Sequence, residues 1–251
     1  MNKYFMTDKP RYHLVDSMRG FALINMIAYH LIYDILVIFC LNSSWCFQPL
    51  TIVWERFICI SFILISGIAF NFSDNGYKNG IVLNLLGFAI TAVTALILPE
   101  QAVWFGILNF LGCAVILLQT GKPYIKKINP VFGLAVSVIL FALTYGIPQK
   151  YIGIFTLKLL DLPDTMYSFK CLSFLGFKSA DFHSSDYFPI IPWIFMFAVG
   201  YFVWRLIEIL HVKQFFMLKI PVLNTMGRYS LWIYLLHQPL IMGILMIIMR
   251  K

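Results

Sequence analysis

The chain has 251 residues, of which 61% are apolar and only 12% charged, with a formal net charge of +8 and a mean hydropathy of +0.83. That apolar content excludes a soluble domain and places the chain among integral membrane proteins. The positive charge reads as a topology signal and a contact with anionic lipid rather than as nucleic-acid binding.

The apolar runs are too long for barrel strands and lack period-two alternation, and backbone polar groups in lipid must be satisfied within their own segment. An all-α, polytopic transmembrane helical bundle is therefore expected. At about 20 residues per span, seven stretches qualify: 17–40, 51–73, 80–98, 102–120, 130–147, 187–209 and 226–249. They form a single transmembrane domain over residues 1–251, with a long loop near 148–186.

The N-terminal stretch carries polar residues through Arg19 and no small-residue cleavage pattern, so it is expected to stay as the first helix. A cytoplasmic N-terminus places Lys3, Lys9, Arg11, Arg19, Lys78, Lys122, Lys126, Lys127, Arg205, Lys213, Lys219 and Arg228 on the inner side, whereas the outer segments 41–50 and 99–101 hold no Lys or Arg. That asymmetry is the positive-inside rule; Arg250 and Lys251 run weakly against it.

The first span carries a polar stripe. Arg19 and His30 are eleven positions apart, which puts them roughly 20° from each other around a helix, with Asp16 and Asp34 each about 40° to one side. Intramembrane charge is costly and usually faces a functional interior. His30 falls near the bilayer middle, and Asp34 one turn further out, placed to orient that imidazole. Asp16 reads as a helix N-cap.

The second span descends from outside, so Glu55 and Arg56 enter at nearly the depth of Asp34, and an Asp34–Arg56 ion pair joining the two helices is expected. Ser66-Gly67, Gly106 and Gly112 read as close-packing positions. The 148–186 loop is expected outside, with a surface-lying helix within Leu159–Lys178 as one arrangement. Cys40 and Cys46 would sit near the outer face, where they either pair or act as apolar filler.

At the sixth span, Ser185-Asp186-Tyr187-Phe188-Pro189-Ile190-Ile191-Pro192-Trp193 combines an acid, aromatics and two prolines. Pro189 marks the first helical turn, and Asp186 either caps that helix or lines the outer side of the site together with Tyr187. A metal site of His183 with Asp181 and Asp186 lacks a supporting ligand spacing, and none is expected. The last span brings a second deep histidine, His237, nine residues beyond Arg228, with Ser230 and Tyr234 on its face and Pro239 expected to kink the helix. His237 either makes an interhelical hydrogen bond or lines the cavity.

Val15-Asp16-Ser17-Met18-Arg19-Gly20-Phe21-Ala22 running to His30, Phe62-Ile63-Leu64-Ile65-Ser66-Gly67, the Asp186–Trp193 segment, and Gly227-Arg228-Tyr229-Ser230-Leu231-Trp232-Ile233-Tyr234-Leu235-Leu236-His237-Gln238-Pro239 together resemble the membrane-embedded catalytic domain of heparan-α-glucosaminide N-acetyltransferases, including short bacterial relatives. The arginine–histidine spacing is also similar to that of acyltransferase-3 membrane acyltransferases. The resemblance implies transfer of an acyl group, in the first place acetyl, from cytoplasmic acetyl-coenzyme A as co-substrate to a sugar or glycan on the other side of a plasma or bacterial inner membrane, with no tightly bound cofactor. It matches Arg19 to the donor and His30, as base or acyl carrier, to catalysis; the polar positions read along the chain add Arg228 to the donor, Asp34 to catalysis as the group that orients His30, and Asp186, Tyr187, His237, Tyr234 and Arg56 to the acceptor.

Two departures stand out. Longer members have more spans, and the lysosomal type has an essential histidine after its first helix, whereas Leu41–Leu50 contains none. A homodimer is one way for seven spans to complete a donor tunnel. Two other classes use similar residues: a solute or proton transporter, which would show two related Gly/Pro-broken halves that the chain lacks, and a non-catalytic envelope scaffold, which would tolerate loss of His30.

Overall fold

The computed structural model describes residues 11–249 apart from 40 and 43. Cys40, one of the two cysteines read as either paired or apolar filler, and Lys3, Lys9, Arg250 and Lys251 of the charge pattern, lie outside the described residues. The helices are α1 (His13–Tyr33), continued by a π-helical turn Asp34–Ile38, α2 (Pro49–Phe70), α3 (Gly76–Ile97), α4 (Ile107–Ile125), α5 (Pro130–Thr144), α6 (Ile190–Ile209), α7 (Pro221–Arg228) and α8 (Ser230–Ile248). A two-stranded antiparallel hairpin, β1 (Tyr151–Ile154) and β2 (Leu157–Asp161), lies between α5 and α6.

Six helices are long and apolar enough to cross a membrane: α1 with its π-turn, α2, α3, α5 with the turn after it, α6 and α8. The expected seventh span, residues 102–120, corresponds to α4, which starts later, at Ile107, and runs on through Gln119, Lys122 and Pro123 to Ile125; it is not among those six. The large apolar side chains left exposed on the six, such as Leu85, Leu96, Val131, Ile139, Trp232 and Ile247, are where lipid would lie.

The described chain falls into two compact units, one from both ends, up to Ile65 and from Ile207, and one from Ser66–Leu206. In the first unit α7 runs antiparallel to the start of α1. Both helices carry glycine at the seam: a Cβ on Gly20 would overlap the Leu223 carbonyl, and one on Gly227 the Asp16 carbonyl. Backbone-to-backbone approach of this kind is what small residues permit between membrane helices. Asn224, buried, donates to the His13 carbonyl at 3.0 Å. Further along, Leu23, Met26 and Ile58 form a core with Trp54, Phe62, Ile233 and Tyr234 around it.

In the second unit α4 returns antiparallel along α3, with Gly80 against the Gly112 carbonyl and Gly87 against the Asn109 side chain. Gly67 likewise lies on the Phe197 carbonyl, so the packing role expected for Gly67 and Gly112 holds. The surface helix expected within Leu159–Lys178 is replaced by β2 and two 3-10 turns, Asp164–Tyr167 and Lys170–Leu175. Pro163 has no N–H to continue a helix, and Gly176 sits at φ +126°.

Asp186 caps a different helix from the one expected. Its Oδ2 accepts from the Ile107 N–H at 3.2 Å, at the start of α4, while Ser184 Oγ accepts from the Trp104 N–H at 2.8 Å. Thus the end of the long loop is stitched to the start of α4. Asp186→Ala is expected to cost about 1 kcal/mol, or roughly 2–4 °C in Tm, and Asp186→Asn less; scanning fluorimetry in detergent reads both. An unchanged Tm for the alanine variant would show that the cap does not bear on stability.

Candidate functional site

The site residues gather in the first unit, at two levels of α1. At the lower level Asp16 lies within the first turn of α1, which begins at His13, so it is not the N-cap the sequence suggested. Its carboxylate is shared: Oδ2 accepts from Arg11 at 2.9 Å and Oδ1 from Arg19 at 3.1 Å. Arg228 closes α7, exposed and in its last turn. Through the glycine seam, the backbone beside Asp16 touches Gly227, next to Arg228. Arg19 and Arg228 are thus presented by two closely packed helices, and Asp16 ties Arg19 to Arg11 just before the start of α1.

At the upper level α1 and α8 run alongside each other, and His30 meets His237 with ring centres 5.0 Å apart and planes inclined by 56°. His237 Nδ1 lies 2.6 Å from the Tyr234 carbonyl of its own helix. A carbonyl oxygen only accepts, so Nδ1 carries the hydrogen and a neutral ring keeps its lone pair on Nε2. That Nε2 is buried and has no hydrogen-bond partner among the described residues. A buried polar atom left without a partner is uncommon and calls for an explanation.

Aromatic rings wall the other side of His30. Tyr29 stands edge-on to the His30 ring at 5.9 Å, with Trp45 at 5.4 Å and Trp54 at 5.5 Å from Tyr29. Trp54 Nε1 is tied to Asn25 Oδ1 at 3.1 Å, which fixes the indole. The rings pack on one another and on the core around Leu23, Met26 and Ile58, and so hold one flank of His30 apolar.

The expected Asp34–Arg56 pair is not formed. Asp34 is fully buried, and both of its carboxylate oxygens lie 3.0 Å from Gln238 Nε2. The reason is positional: the helix widens into its π-turn at Asp34, with Phe39 N–H donating to the Asp34 carbonyl five residues back, and the residue opposite on α8 is Gln238. Arg56 is half-buried on α2. Nor does Asp34 reach His30 among the described contacts; it anchors α8 to α1 one turn beyond the two imidazoles. Pro239, expected to kink the last span, lies inside α8, which runs unbroken from Ser230 to Ile248.

His30, His237, Tyr234 and Asp34 are therefore brought together, and Arg19 and Arg228 share the lower level. Asp186 and Tyr187 belong to the second unit, where the Tyr187 hydroxyl donates to the Ser173 carbonyl. Burial, with Tyr167 nearby, pushes that phenol above its ordinary range, which suits a fixed hydrogen-bond donor rather than a base. Among the described residues no cluster of three metal-ligating side chains exists. Gln238, Gly20, Gly227 and the Tyr29 cluster escape sequence reasoning. Gln238 alone left a signal, as a polar amide in mid-span beside a histidine.

A family model described as heparan-alpha-glucosaminide N-acetyltransferase, catalytic, matches residues 11–239. Comparison with curated proteins and with solved structures finds no match. The matched stretch includes both levels of the site, from Arg11 to Gln238.

Proposed function

Because the chain belongs to the heparan-α-glucosaminide N-acetyltransferase catalytic family, we propose that it carries an acetyl group from cytoplasmic acetyl-coenzyme A to a sugar or glycan on the far side of a plasma or bacterial inner membrane. The observation that carries this reading is the His30–His237 pair, two facing imidazoles with a buried acceptor nitrogen, one in the last turn of α1 and the other near the middle of α8 in a membrane-spanning chain. An imidazole there can take the proton from an acceptor amine or hydroxyl as it attacks the thioester. The aromatic wall of Tyr29, Trp45 and Trp54 would receive the sugar, with His237, Tyr234 and Arg56 of the same unit completing the acceptor side.

The lower level would hold the donor. Arg19 and Arg228 are suited to coenzyme phosphates, and the N-terminus of α1 adds the positive end of its dipole. Basic residues concentrated at this level, set against outer segments without lysine or arginine, support a cytoplasmic orientation. Asp34, held by Gln238, keeps α1 and α8 in register, which makes it a positioning residue. A homodimer and surrounding lipid remain the partners this reading calls for.

The test is transfer of label from radiolabelled acetyl-coenzyme A to amino and neutral sugars by purified protein in lipid nanodiscs. Label in the sugar is expected, and Arg228→Ala should raise the donor KM by about tenfold, the loss of one charge-assisted hydrogen bond of roughly 1.5 kcal/mol. Absence of both donor binding and label transfer would overturn the reading.

A further inference from the structure

We propose that His237 is a second proton carrier: it takes from His30 the proton lost by the acceptor, and delivers it to the sulfur of the departing coenzyme. The proposal rests on the acetyltransferase reading and adds to it a catalytic role for a side chain otherwise assigned to acceptor binding. Three observations place it. The two rings are 5.0 Å apart. The Tyr234 carbonyl fixes the His237 ring with its hydrogen on Nδ1. The remaining nitrogen, Nε2, is an acceptor on a residue only 9% exposed, and no group of the described protein donates to it.

An imidazole kept for structure alone would be expected to use both nitrogens, because an orphaned acceptor in a buried site costs free energy. Here one nitrogen is spent on orientation and the other is held open. The Tyr234 contact prevents the ring from turning, so Nε2 is the atom through which a proton enters and leaves.

The bookkeeping of the step is closed. The lone pair of the acceptor nitrogen or oxygen forms a bond to the thioester carbonyl carbon, and its N–H or O–H proton passes to His30. That proton moves on to His237 Nε2 while the tetrahedral adduct stands. On collapse the C–S bond breaks, the sulfur takes the electron pair, and His237 gives it the proton. Products are the acetylated sugar and the free thiol, and both imidazoles end neutral. In the adduct the attacking atom and the sulfur are bonded to one carbon, so two rings 5.0 Å apart can each face one of them, and neither has to exchange partners between attack and collapse.

The proposal predicts a dependence on the leaving group. His237→Asn keeps an N–H that can reach the Tyr234 carbonyl and removes the atom equivalent to Nε2; His237→Gln is the companion variant should the first not fold, as judged by monodispersity in detergent. With acetyl-coenzyme A, an alkyl thioester, kcat should fall by about a hundredfold or more with donor KM unchanged. With an acetyl aryl thioester, whose thiolate leaves without protonation, the same variant should stay within about threefold of the native rate, whereas His30→Gln should lose both reactions. Equal loss with both donors, or no loss with either, overturns the relay. A native protein that transfers acetyl from neither donor overturns the acetyltransferase reading itself, a result distinct from either of these.

Discussion

Replacing His30 by alanine is expected to reduce acetyl transfer by about three orders of magnitude, within the range that a positioned general base supplies, while the protein remains monodisperse and keeps its Tm within a few degrees. The expectation follows from where the ring sits. His30 projects from the last turn of α1, between Tyr29 at 5.9 Å and His237 at 5.0 Å, half-buried rather than sealed in the core. The buried polar anchor of the helix pair is the neighbouring Asp34–Gln238 contact, which the substitution leaves intact. Stability should therefore be nearly indifferent to His30, and the chemistry should not. Label transfer equal in native and His30→Ala proteins would remove His30 from the mechanism and leave the scaffold reading standing.

The second large effect concerns the seam between α1 and α7. A methyl group on Gly227 would collide with the carbonyl oxygen, carbon and Cα of Asp16, all backbone atoms with no rotamer to yield. Gly227→Ala must push α7 off α1, at a cost of about 1–3 kcal/mol or more, and Gly227→Val should prevent recovery of folded protein. Because Asp16 also pairs with Arg11 and Arg19, the milder variant should raise the donor KM as well as lower the Tm. Gly243 is the control. Nothing lies within 4 Å of a Cβ built there, so Gly243→Ala in α8 should be neutral or stabilising by up to about 1 kcal/mol through helix propensity. Thermal-shift curves of the two alanine variants decide the matter: equal shifts would mean the seam is not close-packed.

Much of the architecture is legible in the amino-acid order because hydropathy acts over one segment at a time. Six crossings, the shared depth of His30 and His237, and the packing role of Gly67 and Gly112 all follow from local spacing. Partner choice does not. Asp34 was matched with Arg56 because opposite charges at similar depth attract, yet the neutral Gln238 takes its place, 204 positions away. Asp186 was assigned to the helix that follows it and instead caps one that begins 79 positions earlier. In each case the deciding atom belongs to a distant stretch of chain, and no periodicity reports it.

The π-turn at Asp34–Ile38 makes the end of the first helix beyond His30 a splice point. A widened turn is an α-helix holding one residue more than the ladder needs. Deleting that residue would restore even winding and leave the stretches on either side nearly in their present phase, because the wider turn sweeps about the same angle with one residue more. The imidazoles lie before the splice and would keep facing each other. The link from the first helix to the second is thus a place where the chain can change its length by one residue without disturbing the paired rings.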